Sequence, residues 1–149
     1  MFLCRLAYIS EPVWSSPAPE RILRELKGIL AAGLANNPRQ NLTGTLIFDG
    51  RYFIQVLEGR RDTVYATFRR ISADPRHRNV LLAGFYEAEE RLFRDWSVLT
   101  HPPREGQPAR SSILDPDVLS CEMLVSYAVR QRGLLSEMRR LELDHRACA

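Results

Sequence analysis

Two runs of strand-forming residues face each other across a turn signal near the middle of the chain. Leu42, Thr45, Leu46, Ile47 and Phe48 form one, and Tyr52, Phe53, Ile54, Val56 and Leu57 the other. Asp49-Gly50 lies between them and suits a two-residue type I′ turn, whose central residues both need φ > 0, so residues 41–59 are predicted to be a β-hairpin. Upstream, Phe2 to Ser10 alternates, with Leu3, Arg5, Ala7 and Ile9 on one side and Phe2, Cys4, Leu6, Tyr8 and Ser10 on the other, as a strand does. Ile22, Leu23, Leu26, Ile29, Leu30 and Leu34 recur at helical spacing. They predict a helix from Pro17 or Pro19 to Leu34, closed by Gly33 and Asn36-Asn37-Pro38. A second helix is predicted over Arg61–Ala73, with Val64, Phe68 and Ile71 turned inward and Asp74-Pro75 as its stop. Val80–Glu87 and Trp96–Thr100 read as two more strands.

Strands interrupted by helices in the order βαββαβ predict an α+β fold, a ferredoxin-like sandwich with two helices on one face of a mixed sheet, here with an extra fifth strand. Residues 1–100 form this domain. His101 to Ser112 is linker-like, so residues 101–114 are assigned to a linker. Residues 115–145 are predicted to be a C-terminal helical extension, a helical pair or one helix kinked at Gly133. Asp115-Pro116-Asp117 would start it, Leu119, Met123 and Tyr127 would form one stripe, and Leu134, Leu135, Met138 and Leu141 another. Each stripe needs cover, either from the bare sheet face or from another subunit.

Composition narrows the function. With 149 residues, 45% of them apolar, the chain can bury a core. A net charge of +3, with Lys27 the only lysine, is too weak to imply nucleic acid. No apolar run approaches the ~20 residues of a membrane span, and the N-terminus has no signal-peptide pattern. Cys4, Cys121 and Cys148 are far apart and in no metal-binding spacing, which points to a reducing, cytoplasmic setting without disulfides. His77, His101 and His145 have no ligand neighbours at metal spacing, so no metal site is expected, and no nucleophile elbow or phosphate-loop motif occurs, so the chain is poor in catalytic constellations. Glu58 and Asp62 read as turn or surface residues, and Glu87, Glu89 and Glu90 as a solvated face.

Polar residues at the ends and centres of apolar elements are the distinctive feature. Tyr8 lies near the end of the first strand and Gln55 sits mid-strand between Ile54 and Val56, where an amide must be hydrogen-bonded or cost about 1–3 kcal/mol. Asn36-Asn37 follow the first helix, and Asp74, Arg76 and His77 the second. Singly, these read as caps, turns and satisfied core polar groups. Together, with Ile29 and Ile71 as walls, they describe an apolar slot with converging polar groups, a small-ligand site.

The ordered set Tyr8-Ile9-Ser10, Asn37, Leu42-Thr43-Gly44, Phe53-x-Gln55 with Leu57-Glu58-Gly59, Asp74-x-Arg76-His77 and Arg91-x-Phe93-x-x-Trp96-Ser97 resembles the BLUF domain, the family of blue-light sensors that use FAD. The resemblance covers about residues 2–100. It implies FAD, with FMN or riboflavin as alternatives, lying between the two helices. Ile29, Ile71 and Phe53 would form the walls, Asn37 and Asn36 would hold the pyrimidine edge, Arg76 would lie near the C2 carbonyl, and Asp74 and His77 near the ring or ribityl chain. Tyr8 and Gln55 match the photoactive pair, with Trp96 nearby. In the family, light excites the flavin, the tyrosine supplies an electron and a proton, and the glutamine rearranges its hydrogen bonds around N5 and O4. A phenol and an amide with a donor end and an acceptor end are the residue types this chemistry needs.

Two departures stand out. Val98 occupies the usual methionine position after Trp-Ser, and valine is shorter, stiff at χ1 and without sulfur. Gly33 replaces a serine found in some members. The resemblance further implies output to a homo-oligomer interface or an unidentified downstream protein through the fifth strand and C-terminal helices. The alternative is a flavin-binding module whose signalling Val98 has weakened or abolished. An acylphosphatase-like enzyme ranks last, because Glu11 to Pro19 has no arginine to cradle a phosphate.

Overall fold

A computed structural model describes residues 2–13, 24, 25, 28, 32, 36, 37, 39–100 and 115–133. Five strands, β1 (Leu3–Pro12), β2 (Thr43–Phe48), β3 (Phe53–Arg60), β4 (His77–Ala88) and β5 (Trp96–Thr100), form one sheet in the order β4-β1-β3-β2-β5. β1 pairs antiparallel with β3 and β4, β2 antiparallel with β3, and β5 runs parallel beside β2. The sheet is therefore mixed, and the α+β ferredoxin-like sandwich with a fifth strand is present. Arg24, Glu25, Gly28, Ala32 and Asn36 are helical, Arg61–Ser72 forms a helix directly after β3, and residues 121–133 form another. The predicted wall residue Ile29, the linker 101–114 and the apolar stripe at 134–141 lie outside the described residues.

Strand alternation divides the core in two. Leu6, Tyr8, Leu46, Phe48, Phe53 and Leu57 pack with Val64, Phe68 and Ile71 of the Arg61–Ser72 helix. On the other face, Ala7, Ile9, Ile47, Ile54 and Val56 pack with Leu124, Val125 and Ala128. The 121–133 helix thus covers the face the first cluster leaves bare. Leu119 and Tyr127 pack at its margin as the stripe predicts, but Met123 is 54% exposed. The helix also begins later than Asp115. Ser120 caps it, its hydroxyl accepting the Met123 N–H at 3.1 Å, while the Asp115 carboxylate accepts the Asp117 N–H of a separate turn. The inner face is carried by Leu124, Val125 and Ala128, which leaves Met123 outside.

The hairpin is real, but its turn is not type I′. Gly50 takes φ 98° and Asp49 has no positive φ. The Asp49 carboxylate closes the turn instead, accepting the N–H groups of Arg51 at 2.9 Å and Tyr52 at 2.7 Å.

Glu58 departs most from its expected surface role. It is fully buried, directly across from Arg5 in the β1–β3 register, and its carboxylate takes four donors. Arg5 Nε and the Leu92 N–H bond to Oε2, and the Thr43 hydroxyl and the Phe93 N–H to Oε1, all at 2.9–3.0 Å. A carboxylate sealed from water survives ionised only when paired and hydrogen-bonded in this way.

Candidate functional site

Tyr8 and Gln55 are partners in the β1–β3 register, on the sheet face that meets the Arg61–Ser72 helix. The Tyr8 hydroxyl donates to Gln55 Oε1 at 2.5 Å, and both side chains are buried. Burial pushes the phenol well above its ordinary pKa of 10.0, with the Asp74 carboxylate adding to it, so Tyr8 keeps its proton.

A cavity of about 290 Å³ opens over this pair. Phe53, Ile71, Asn36, Asn37, Asp74, Arg76, His77 and Trp96, all picked out in the sequence, line it together with Tyr8 and Gln55. Ala32, Leu46, Thr67 and Arg70 line it too and were not picked out. Helical spacing would have found three of them. Ala32 lies one turn before Asn36, and Thr67 and Arg70 lie one turn before Ile71 and Asp74. Leu46 pairs with Gln55 across β2–β3.

The polar groups differ in what they have left to offer. The Asn37 carbonyl accepts the Leu42 N–H at 2.9 Å, fixing the residue at the helix exit, while its buried side-chain amide bonds to no described residue. Asp74 is committed to Arg76, which reaches it through Nε at 2.9 and 3.0 Å and Nη2 at 2.5 Å. His77 has both ring nitrogens engaged, Nδ1 with the Ser10 hydroxyl at 2.8 Å and Nε2 with the Ile71 carbonyl at 2.6 Å. Since a carbonyl only accepts, Nε2 carries a proton. His77 therefore presents its ring, edge-on to Tyr8 and Phe53 at 6.3 and 6.4 Å between centroids, rather than a polar atom.

Trp96 is inside. It is 6% exposed, and its indole N–H has no hydrogen-bond partner among the described residues. Val98 shares this face, packed against the same core, but Leu46 pairs with both Val98 and Gln55 and so lies between them in the sheet.

The Arg76 guanidinium holds the Asp74 carboxyl below its ordinary 3.8. A depressed folded-state value means that the pair stabilises the protein above the unfolded value and that this is lost as pH falls through the folded one. The stability gap between wild type and Asp74→Asn should therefore close as pH drops below about 4, measured by urea titration at several pH values.

An orphaned indole N–H, a spare asparagine amide and an amide bonded at one end surround apolar walls. They fit a flat heteroaromatic ligand carrying carbonyl and ring-nitrogen acceptors. Fold and cavity thus define a small α+β ligand-binding domain. Residues 3–99 match the family model BLUF, sensors of blue-light using FAD. The chain belongs to the BLUF family of flavin-binding blue-light sensors.

Photoactivated adenylate cyclase subunit beta of Euglena gracilis is 33% identical over 81 residues, which is 54% of this chain and 9% of that protein. This chain therefore spans about a tenth of that relative's length. The dark-state structure of BlrB, a BLUF protein, superposes with a TM-score of 0.60 at 31% identity over 66% of this chain and 73% of that one. A structure of Klebsiella pneumoniae BlrP1 with FMN and cyclic diGMP gives 0.57 at 31% identity, over 66% of this chain and 26% of that one. No helix among the described residues is long and apolar enough to cross a membrane.

Proposed function

We propose that this chain is a blue-light receptor that holds FAD, or FMN or riboflavin in its place, in the Tyr8–Gln55 cavity and signals by conformation without turning over a substrate. The observation that carries this reading is the buried Tyr8–Gln55 hydrogen bond beneath a cavity lined by the Asn37 amide and the Trp96 indole N–H, neither of which bonds to a described residue. When bound, the flavin supplies blue-light absorption and one-electron redox chemistry.

The residues supply the rest. Phe53 and Ile71 hold the ring flat, with Ile29 assigned to the facing wall by its sequence position. Asn37, with Asn36 beside it, takes the pyrimidine edge. Arg76, steadied by Asp74, faces a ring carbonyl, and His77 packs against the tail side. With an excited flavin as the electron acceptor, Tyr8 would give up an electron and its hydroxyl proton by way of Gln55 Oε1 and would take both back as the flavin returns to its oxidised state. Gln55 would be left with the other end of its amide facing Tyr8. A rearranged hydrogen bond is worth about 1 kcal/mol, enough to bias an interface and too little to unfold a domain. β5 and the extension at 115–145 would carry that bias to a homo-oligomer interface or a downstream protein in the cytoplasm.

Blue illumination of the flavin-loaded chain tests the reading. A reversible red shift of the flavin absorption is expected. An unchanged spectrum would leave the second reading, a flavin-binding module without output. That reading is favoured by one observation, the interposed Leu46 that separates Val98 from Gln55.

A further inference from the structure

We infer that Glu58 is a positioning residue for the photoactive cluster: its buried carboxylate fixes the segment that delivers Trp96 to the cavity. This rests on the flavin reading above and adds to it a residue on the opposite face of the sheet.

Residues 89–95, between β4 and β5, have no regular structure. Four backbone contacts among the described residues tie this segment to the rest of the fold. The Leu92 and Phe93 N–H groups donate to the two oxygens of Glu58, the Glu90 carbonyl accepts Arg5 Nη2 at 2.7 Å, and the Asp95 carbonyl accepts the Gly44 N–H at 2.9 Å. Glu58 therefore takes two of the four, and it holds the Arg5 side chain that makes a third. The same carboxylate holds Arg5 of β1 and Thr43 of β2, so every inner strand that frames the cavity meets the Trp96 lead-in at one group. Arg91 closes the arrangement, donating to the Thr43 hydroxyl at 2.8 Å and the Asn41 carbonyl at 3.0 Å.

Glu58 and Gln55 lie on one strand but point to opposite faces, Glu58 into this network and Gln55 into the cavity. Trp96 pairs with Gly44, which in turn pairs with Leu57 beside Glu58. The distance between the unpaired Trp96 N–H and the Gln55 amide is thus set jointly by the β2–β5 ladder and by where Glu58 holds Leu92 and Phe93. Moving that hold moves the indole relative to the amide.

The test is Glu58→Gln in a Trp14→Phe background, so that Trp96 alone emits. The substitution keeps the shape, removes the charge that balances Arg5 and turns one acceptor into a donor facing N–H groups. Two readouts are expected to move: the Trp96 emission, with or without light, and the lifetime of the red-shifted state, by about fivefold, the factor for one hydrogen bond of ordinary net worth. Gly84→Ala serves as the control for lost stability alone, because its added Cβ would lie 2.5 Å from Cys121 Sγ, in the core on the far face. If Glu58→Gln does not fold, the pair Arg5→Met with Glu58→Gln removes both buried charges and keeps the measurement available. Trp96 emission and lifetime that change no more than in Gly84→Ala overturn the inference. A wild type without any red shift overturns the receptor reading instead, and the emission readout still decides the role of Glu58.

Discussion

Gln55→Leu is expected to load flavin and lose the light-induced red shift completely. Gln55 is 3% exposed between Ile54 and Val56, so leucine matches its surroundings and its size. The cost falls on Tyr8, whose hydroxyl loses its acceptor at Gln55 Oε1. Leaving a buried hydroxyl unpaired costs about 1–3 kcal/mol, part of which the apolar leucine offsets. The flavin would lose one hydrogen bond of about 1 kcal/mol, a few-fold in affinity, while its walls and the Asn37 contact remain. The photoresponse has no such reserve. It needs a group between Tyr8 and the ring that both donates and accepts, and a hydrocarbon does neither. The check is the amplitude of the light-minus-dark absorption difference in loaded Gln55→Leu, with retained flavin measured on the same sample.

Gly44→Ala is expected to destabilise the domain strongly. Gly44 takes φ 139°, a backbone conformation L residues rarely adopt. A Cβ there would lie 1.9 Å from the Val56 carbonyl oxygen and 2.9 Å from its carbon. Both are backbone atoms of the neighbouring strand, so no side-chain rotation relieves the clash, and β2 must move away from β3. Strain of this kind together with lost ladder bonds costs about 3–5 kcal/mol, or about 10–15 °C in Tm for a chain of this size. The damage reaches the site as well, because Gly44 pairs with Trp96 and its N–H holds the Asp95 carbonyl. Thermal unfolding followed by far-ultraviolet circular dichroism checks the loss. A Gly44→Ala protein that melts with wild type would show that the strand pair has room the geometry denies.

The sheet was legible because alternation is a local signal. Tyr8 and Gln55 could be picked out separately, each a polar-tipped side chain within an apolar strand, and the antiparallel register brings them together. Glu58 was misread for the opposite reason. Nothing within a few residues of it shows that Arg5, Thr43 and the Leu92–Phe93 amides converge on it, since each comes from a different part of the chain. Met123 was misplaced because two interleaved stripes are compatible with the same helical period, and it is the one carrying Leu124, Val125 and Ala128 that packs on the sheet. Asp49-Gly50 correctly marked a turn, but the Asp49 side chain substitutes for the backbone geometry the dipeptide usually signals.

The measurement closest to the central claim is the light-minus-dark infrared difference spectrum of the flavin-loaded chain in the carbonyl region, compared with that of Tyr8→Phe. If light reorders the hydrogen bonds of Gln55 between Tyr8 and the ring, a flavin carbonyl stretch moves to lower frequency on illumination, returns in the dark and stays fixed in Tyr8→Phe. A wild-type carbonyl that does not move, or a shift that persists without the Tyr8 hydroxyl, would contradict the account.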